Sequence, residues 1–314
     1  IMNRFRKENK SVIFISHDLD EIMEACDTLT VLRDGKIIRT FEKAEFEAGA
    51  IRASMIGREL QGDYYRSDFQ ASSQPEVALD VRNLVYADRL KGISFQVHKG
   101  EIVGIGGLAH CGMHSLGKVC FGALKPEEGS VTVEDGTIID SPAIAMKKRV
   151  GYVSKDRDVE SLCLNASIED NISIAGMSEF AINNFLILKN REKKYVNHQI
   201  EELSIKCAGR DQSVSQLSGG NKQKVVFGKW IGCGSEILIL DCPTRGVDIG
   251  VKQAMYQLMV RLKNEGKSIL MISEELPELI GMSDRILIMK NGEVSAEFER
   301  SETLSDAQII EYMI

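Results

Sequence analysis

The chemistry-bearing stretch is Leu217-Ser218-Gly219-Gly220-Asn221-Lys222-Gln223-Lys224. Ser218 is a good helix N-cap. Gly219 and Gly220 let backbone N–H groups come close to a phosphate, and the positive end of the helix dipole favours the negative charge. Val225-Val226-Phe227-Gly228-Lys229-Trp230-Ile231 reads as the body of that helix. Further on, Glu236-Ile237-Leu238-Ile239-Leu240-Asp241 is an apolar run closed by a carboxylate. This is the pattern of a buried parallel strand that delivers an acid to a phosphate or Mg2+ site at its carboxyl end. Pro243-Thr244-Arg245-Gly246-Val247-Asp248 follows. A lone Ser-Gly-Gly is a flexible turn, but with this strand and loop it points to nucleotide chemistry.

Composition bounds the partners. The chain has 314 residues, 43% hydrophobic and 27% charged, with 5 prolines. That is an α/β composition with room for a sizeable core in one large domain or two. The net charge of −7 argues against a nucleic-acid partner, which wants clustered Lys and Arg. Apolar stretches are strand-sized and broken by charge, so a membrane role would run through a partner. The opening Ile1-Met2-Asn3-Arg4-Phe5-Arg6 has no secretory pattern. Seven cysteines without CxxC pairing suit a reducing cytosol.

The chain repeats itself. Ile15-Ser16-His17-Asp18-Leu19-Asp20-Glu21 matches Ile272-Ser273-Glu274-Glu275-Leu276-Pro277-Glu278. Asp27 matches Asp284 and Gly35 matches Gly292, all at an offset of 257. Each copy reads strand, helix, strand, tight turn, strand. Repeats at domain length imply two homologous domains. The expected organisation is a C-terminal remnant of a first nucleotide-binding domain at 1–60, a polar linker at 61–76 and a whole second domain at 77–314. The phosphate loop of the first domain would lie upstream of Ile1. Strands at 11–15 and 28–32 would then lack their sheet, and are expected to be sticky or disordered alone.

In the second half, Val77-Ala78-Leu79-Asp80-Val81, Ile93-Ser94-Phe95-Gln96-Val97 and Glu101-Ile102-Val103-Gly104-Ile105 read as strands. The last feeds Gly107-Leu108-Ala109-His110-Cys111-Gly112-Met113-His114. The phosphate-loop pattern wants Gly, four residues, Gly, Lys, then Ser or Thr. Gly107 and Gly112 are present. Met113 stands for the Lys that reaches the phosphates, and His114 for the hydroxyl that holds Mg2+. A rival reading of the same loop is metal binding by His110, Cys111 and His114. Residues 168–208 carry helical periodicity and charge, and 251–264 an amphipathic helix before a core strand at 268–272.

The serine-glycine helix start and the Asp-ended strand resemble the signature motif and Walker B strand of ABC-type ATPases. Lys229-Trp230 after the signature, Pro243-Thr244-Arg245-Gly246-Val247-Asp248-Ile249-Gly250 and Glu275-Leu276-Pro277-Glu278 narrow the resemblance to the ATP-binding subunits of ribose/galactose/xylose-type sugar importers. The resemblance implies an α/β ABC-type P-loop ATPase domain with a mixed sheet core, an antiparallel β-subdomain and an α-helical subdomain. It implies ATP and Mg2+ as cofactors, Asp241 as a weak Mg2+ ligand, and Tyr86 as a candidate to stack on adenine. It places Lys155 where the family has the Q-loop Gln, Cys242 where it has the general-base Glu, and Glu274 where it has the switch His, which His17 still supplies in the first copy. With Met113 and His114, these changes point to a second site that no longer hydrolyses ATP.

Fused pairs of this kind pair head to tail. On that model Leu217, Ser218, Gly219 and Gly220, with His17 and Asp248, complete a composite ATP site whose phosphate loop lies on a first nucleotide-binding domain or a second copy of the chain. The implied partners are transmembrane permease subunits and, indirectly, a periplasmic or extracellular sugar-binding protein. The implied location is the cytoplasmic face of the membrane. The alternative is a catalytically inactive pseudo-ATPase scaffold or regulatory module. An ABC protein acting on ribosomes or nucleic acid would want a basic linker and two intact sites.

Overall fold

A computed structural model describes residues 2–16, 19–33, 35–56, 64–69, 72–182 and 186–314. Residues group into two compact units, one of 1–64 with 248–254 and one of 65–247 with 255–314.

The first unit holds α1 (Met2–Lys7), α2 (Leu19–Ala25), the antiparallel hairpin β1 (Thr28–Arg33) and β2 (Lys36–Glu42), and α3 (Ala48–Ile56). Leu19, Val31, Phe41 and Ile51 make its small core. Residues 11–15, expected as a strand, form none; Ile13 and Ile15 are 93% and 92% exposed. Burial on both faces is what makes such an apolar run a strand, and no described neighbour pairs with this one.

The second unit opens with β3 (Val77–Tyr86), β4 (Leu90–His98), β5 (Ile102–Gly107), α4 (Met113–Cys120) and β6 (Glu128–Val133). It continues with α5 (Pro142–Lys147), β7 (Val150–Val153), α6 (Ile168–Ser173), α7 (Met177–Phe180), the short hairpin β8 (Ala181–Ile182) and β9 (Leu186–Ile187), and α8 (Lys189–Glu202). Then come α9 (Gly219–Gly232), β10 (Ile237–Asp241), α10 (Ile249–Asn264, of which 255–264 belong here), β11 (Ser268–Ile272), α11 (Leu276–Met282), β12 (Arg285–Lys290), β13 (Glu293–Glu299) and α12 (Asp306–Met313).

The central sheet runs β13-β12-β5-β11-β10-β7 and is parallel except for the β12–β13 hairpin. Its inner strands β5, β10 and β11 are buried along their whole length. That explains why they read as continuous apolar runs rather than alternating ones. β4-β3-β6 form a separate antiparallel sheet, and α6, α8 and α9 pack into a helical layer. The fold is therefore the mixed sheet, antiparallel subdomain and helical subdomain expected from sequence.

The repeat is reproduced element by element. Shifting α2, β1 and β2 by 257 residues gives the bounds of α11, β12 and β13. The same sequence pattern thus builds the same local structure twice.

Candidate functional site

The carboxyl ends of β5 and β10, with β11 between them, lie on the same end of the sheet, where an α/β sheet places its ligands. β5 ends at Gly107 and the chain turns through residues 108–112 into α4. Gly112 sits at φ 103, and a Cβ there would come within 2.1 Å of the Arg89 carbonyl oxygen. A left-handed backbone against a neighbouring strand end leaves room for glycine alone. Gly107 is closed in likewise, 2.4 Å from the Met289 carbonyl. The Met113 side chain is fully buried and offers nothing to a ligand. Tyr86 ends β3 half-buried.

His114, in the first turn of α4, is the hub. Its Nδ1 lies 2.7 Å from Asp241 Oδ1, and its Nε2 lies 3.1 Å from Lys155 Nζ and 3.4 Å from Glu274 Oε1. Lys155 donates to the same Glu274 oxygen at 2.6 Å. Asp241 is 1% exposed, and its second oxygen accepts from the Tyr152 hydroxyl at 3.2 Å. The Lys155 hydrogen bond holds Glu274 below the usual carboxylate range. Burial pushes the Tyr152 hydroxyl up, the negative charge of Asp241 adding to the effect. Cys242 follows in a left-handed turn, φ 49, and is 7% exposed; burial pushes its thiol well up. A thiol held neutral is a poor base for positioning water.

Four positions scattered over 160 residues of sequence, His114, Lys155, Cys242 and Glu274, are thus brought to one place around Asp241. His110 is exposed and Cys111 buried, and among the described residues the group spaced to share a metal ion is His114, Asp241 and Cys242, not the loop trio His110, Cys111 and His114. Mg2+ prefers six oxygen ligands in near-octahedral geometry. Of the donors here only the Asp241 and Glu274 carboxylates are of that kind, and Glu274 is taken by the Lys155 ammonium.

A second locus lies at the start of α9. Ser218 caps the helix: its Oγ accepts from the Asn221 N–H at 3.4 Å and from Asn221 Nδ2 at 3.0 Å. Leu217 is buried, while Ser218 and Asn221 leave the turn partly open. Arg157 packs over it. Its guanidinium donates to the Arg245 carbonyl at 2.7 Å and the Gly246 carbonyl at 3.3 Å, and reaches Gln223 Oε1 at 3.4 Å. A Cβ on Gly219 would sit 3.0 Å from Arg157 Nη2. Neither Arg157 nor Tyr152 is singled out by the sequence pattern, although both lie within three residues of Lys155. Asp248 caps α10, accepting from the Val251 N–H at 3.0 Å. His17 lies outside the described residues. Among the described residues no helix is long and apolar enough to cross a membrane.

Residues 90–245 match the family model described as ABC transporter. The ribose import ATP-binding protein RbsA of Clostridium tetani is 37% identical over 100% of this chain and 62% of its own length. The RbsA protein of Streptococcus agalactiae is 39% identical over 96% of the chain and 61% of its own. The chain therefore spans about three-fifths of the length of these curated relatives. A nucleotide-free ATP-binding cassette from an ABC transporter superposes with a TM-score of 0.63, at 24% identity over 76% of this chain and 99% of that one. A dimeric cassette in a post-hydrolysis state bound to ADP and phosphate gives 0.61, at 20% identity over 70% and 98%.

Proposed function

Through residues 90–245 the chain belongs to the ABC transporter family, and on that premise we propose that it is part of the ATP-binding subunit of a carbohydrate importer, in which it completes an ATP site on a facing cassette while its own phosphate loop is structural. The observation that carries this reading is the closed network around His114. Asp241, Lys155 and Glu274 satisfy one another through His114, with both Asp241 oxygens engaged. A Mg2+–phosphate group would have to displace an ammonium–carboxylate pair and then find imidazole and thiol where it needs oxygens. The donor set does not fit that group, and no hydrolytic step is assigned to this loop.

The start of α9 fits an anion well. Ser218 Oγ and the N–H groups of Gly219 and Gly220 would hold the terminal phosphate of a nucleotide seated on another cassette, where ATP supplies the phosphoryl group transferred to water. Preorganised donors of this kind stabilise charge that develops during the reaction. Asp248 and His17 would act at the same composite site. The facing cassette is a first domain of the same protein or a second copy of the chain. Permease subunits are the membrane partners, a sugar-binding protein acts through them, and the location is the cytoplasmic membrane face. Support comes from the ribose-import relatives, whose length exceeds this chain.

The test is ATP turnover by the assembled importer carrying this sequence in its second half. Ser218→Arg should lower turnover by about a hundredfold, the scale of losing preorganised anion donors. Lys155→Gln, which restores a neutral amide beside the defective loop, should leave it unchanged. Unchanged turnover in the Ser218 variant would favour the second reading, a scaffold without a catalytic share. A severalfold rise with Lys155→Gln would sink the structural role of this loop.

A further inference from the structure

We propose that His114, Asp241 and Cys242 form a site for a thiophilic divalent cation of the Zn2+ class. Among the described residues they are the one group of three such side chains close enough to share an ion. One ligand atom from each lies within 4.8 Å of the others. In a tetrahedral Zn2+ site the ligand atoms are about 3.3–3.8 Å apart, from bond lengths of about 2.0–2.3 Å. The His114–Asp241 pair, at 2.7 Å, must therefore open, and the wider gaps to Cys242 close by up to about 1 Å, to complete the site. The ligands come from the first turn of α4 and the end of β10, both anchored in the central sheet, and Asp241 and Cys242 are buried.

The surroundings supply the outer partners that metal ligands need. With the cation on His114 Nδ1, where Asp241 Oδ1 now stands at 2.7 Å, Nε2–H would point to Glu274 Oε1 at 3.4 Å. A carboxylate behind a ligating histidine fixes its tautomer and raises its basicity. Tyr152 already holds the other Asp241 oxygen. The proton balance is simple. The imidazole proton moves from Nδ1 to Nε2, the Cys242 thiol loses its proton to solvent, and Lys155 keeps its bond to Glu274 while giving up the one to Nε2.

Charge points the same way. The negative charges of Asp241, Glu274 and Glu278 act on Cys242 against one positive charge, Lys155, so a cation beside the sulfur is favoured. A thiolate and an imidazole among its ligands select a soft ion over a hard one. The inference stands on this geometry and not on the importer reading.

The experiment uses the full chain, stripped with a chelator and titrated with Co2+ as a spectroscopic probe. One equivalent should give a sulfur-to-cobalt charge-transfer band and the intense visible bands of a four-coordinate ion, both removed by Zn2+ and retained in excess Mg2+. Cys242→Ser should abolish the charge-transfer band. His114→Gln and Glu274→Gln should weaken binding, the latter about tenfold as befits an outer partner. Cys111→Ser should change nothing. Absence of a sulfur band in the folded wild type, its persistence in Cys242→Ser, or weak six-coordinate spectra would overturn the site. None of these outcomes depends on whether the importer variants above behave as expected.

Discussion

Arg157 shows how a single side chain can join two functional segments. It is the first residue of a short wide turn at Arg157–Ser161, yet its guanidinium serves carbonyls 88 and 89 residues away. Burial lowers its pKa, but a guanidinium stays protonated in proteins and its donors match carbonyls in a fixed plane. It therefore holds the loop of Arg245 and Gly246 against the start of α9, so two parts proposed to face another cassette move together. Arg157→Ala should cost about 1.5–3 kcal/mol, the scale of losing hydrogen bonds to a charged donor. Arg157→Lys should recover part of this, since one ammonium cannot span both carbonyls. Urea unfolding measures the stability loss, and turnover in the importer should fall in Arg157→Ala beyond what the stability loss explains. Equal turnover would leave Arg157 a purely structural tie. The sequence could not announce this role. The cap at Ser218 is local and legible, whereas carbonyl partners carry no residue signature. The same holds for Tyr152, whose bond to Asp241 depends on strand register between β7 and β10.

At the scale of elements, the repeat supplies a control. Residues 11–15 and β11 share a pattern, but β11 lies between β5 and β10 while residues 11–15 make no strand. A parallel strand has no local hydrogen bonds of its own, so its existence is decided by its neighbours. The hairpins fare differently: β1–β2 and β12–β13 pair within themselves and recur with matching bounds. Hydrogen exchange should show this directly. Amides of 268–272 should be among the most protected, and those of 11–15 should exchange at near-intrinsic rates in the same chain. Comparable protection in both would mean that 11–15 finds a strand partner. The core strands of the second half, the glycine loop and the start of α9 are therefore readable, because local pattern and turn chemistry set them. The convergence of Lys155, Glu274 and His114 was not readable as a network. Resemblance placed each near a phosphate, but only the packed strand ends show that they satisfy one another.

At the scale of the whole molecule, Asp284 decides where the second unit starts. Its carboxylate is 1% exposed and takes Arg66 at 2.9 Å, Lys263 at 2.9 Å and the Ile102 N–H at 2.8 Å. Arg66 also donates to the Met282 carbonyl at 3.0 Å, and Arg300 returns a bond to the Arg66 carbonyl at 3.0 Å. Residues 65–69 fall in the polar stretch read as linker, yet Arg66 among them is a buried cation paired just before the start of β12. Removing one partner of such a group leaves an uncompensated buried charge. Arg66→Ala and Asp284→Asn should each cost about 3–5 kcal/mol. A chain begun at residue 64 should keep this stability, and one begun at residue 77 should lose a similar amount. Asp68 adds a pH signature. Its hydrogen bond to Arg66 holds its carboxyl below the ordinary value. A lowered native pKa gives stability that is fully present above the unfolded value and lost as pH falls through the native one. The difference in unfolding midpoint between wild type and Asp68→Asn should hold through neutral pH and vanish in strong acid. If the two midpoints instead agreed at neutral pH, Asp68 would contribute nothing and Asp284 alone would hold the Arg66 guanidinium.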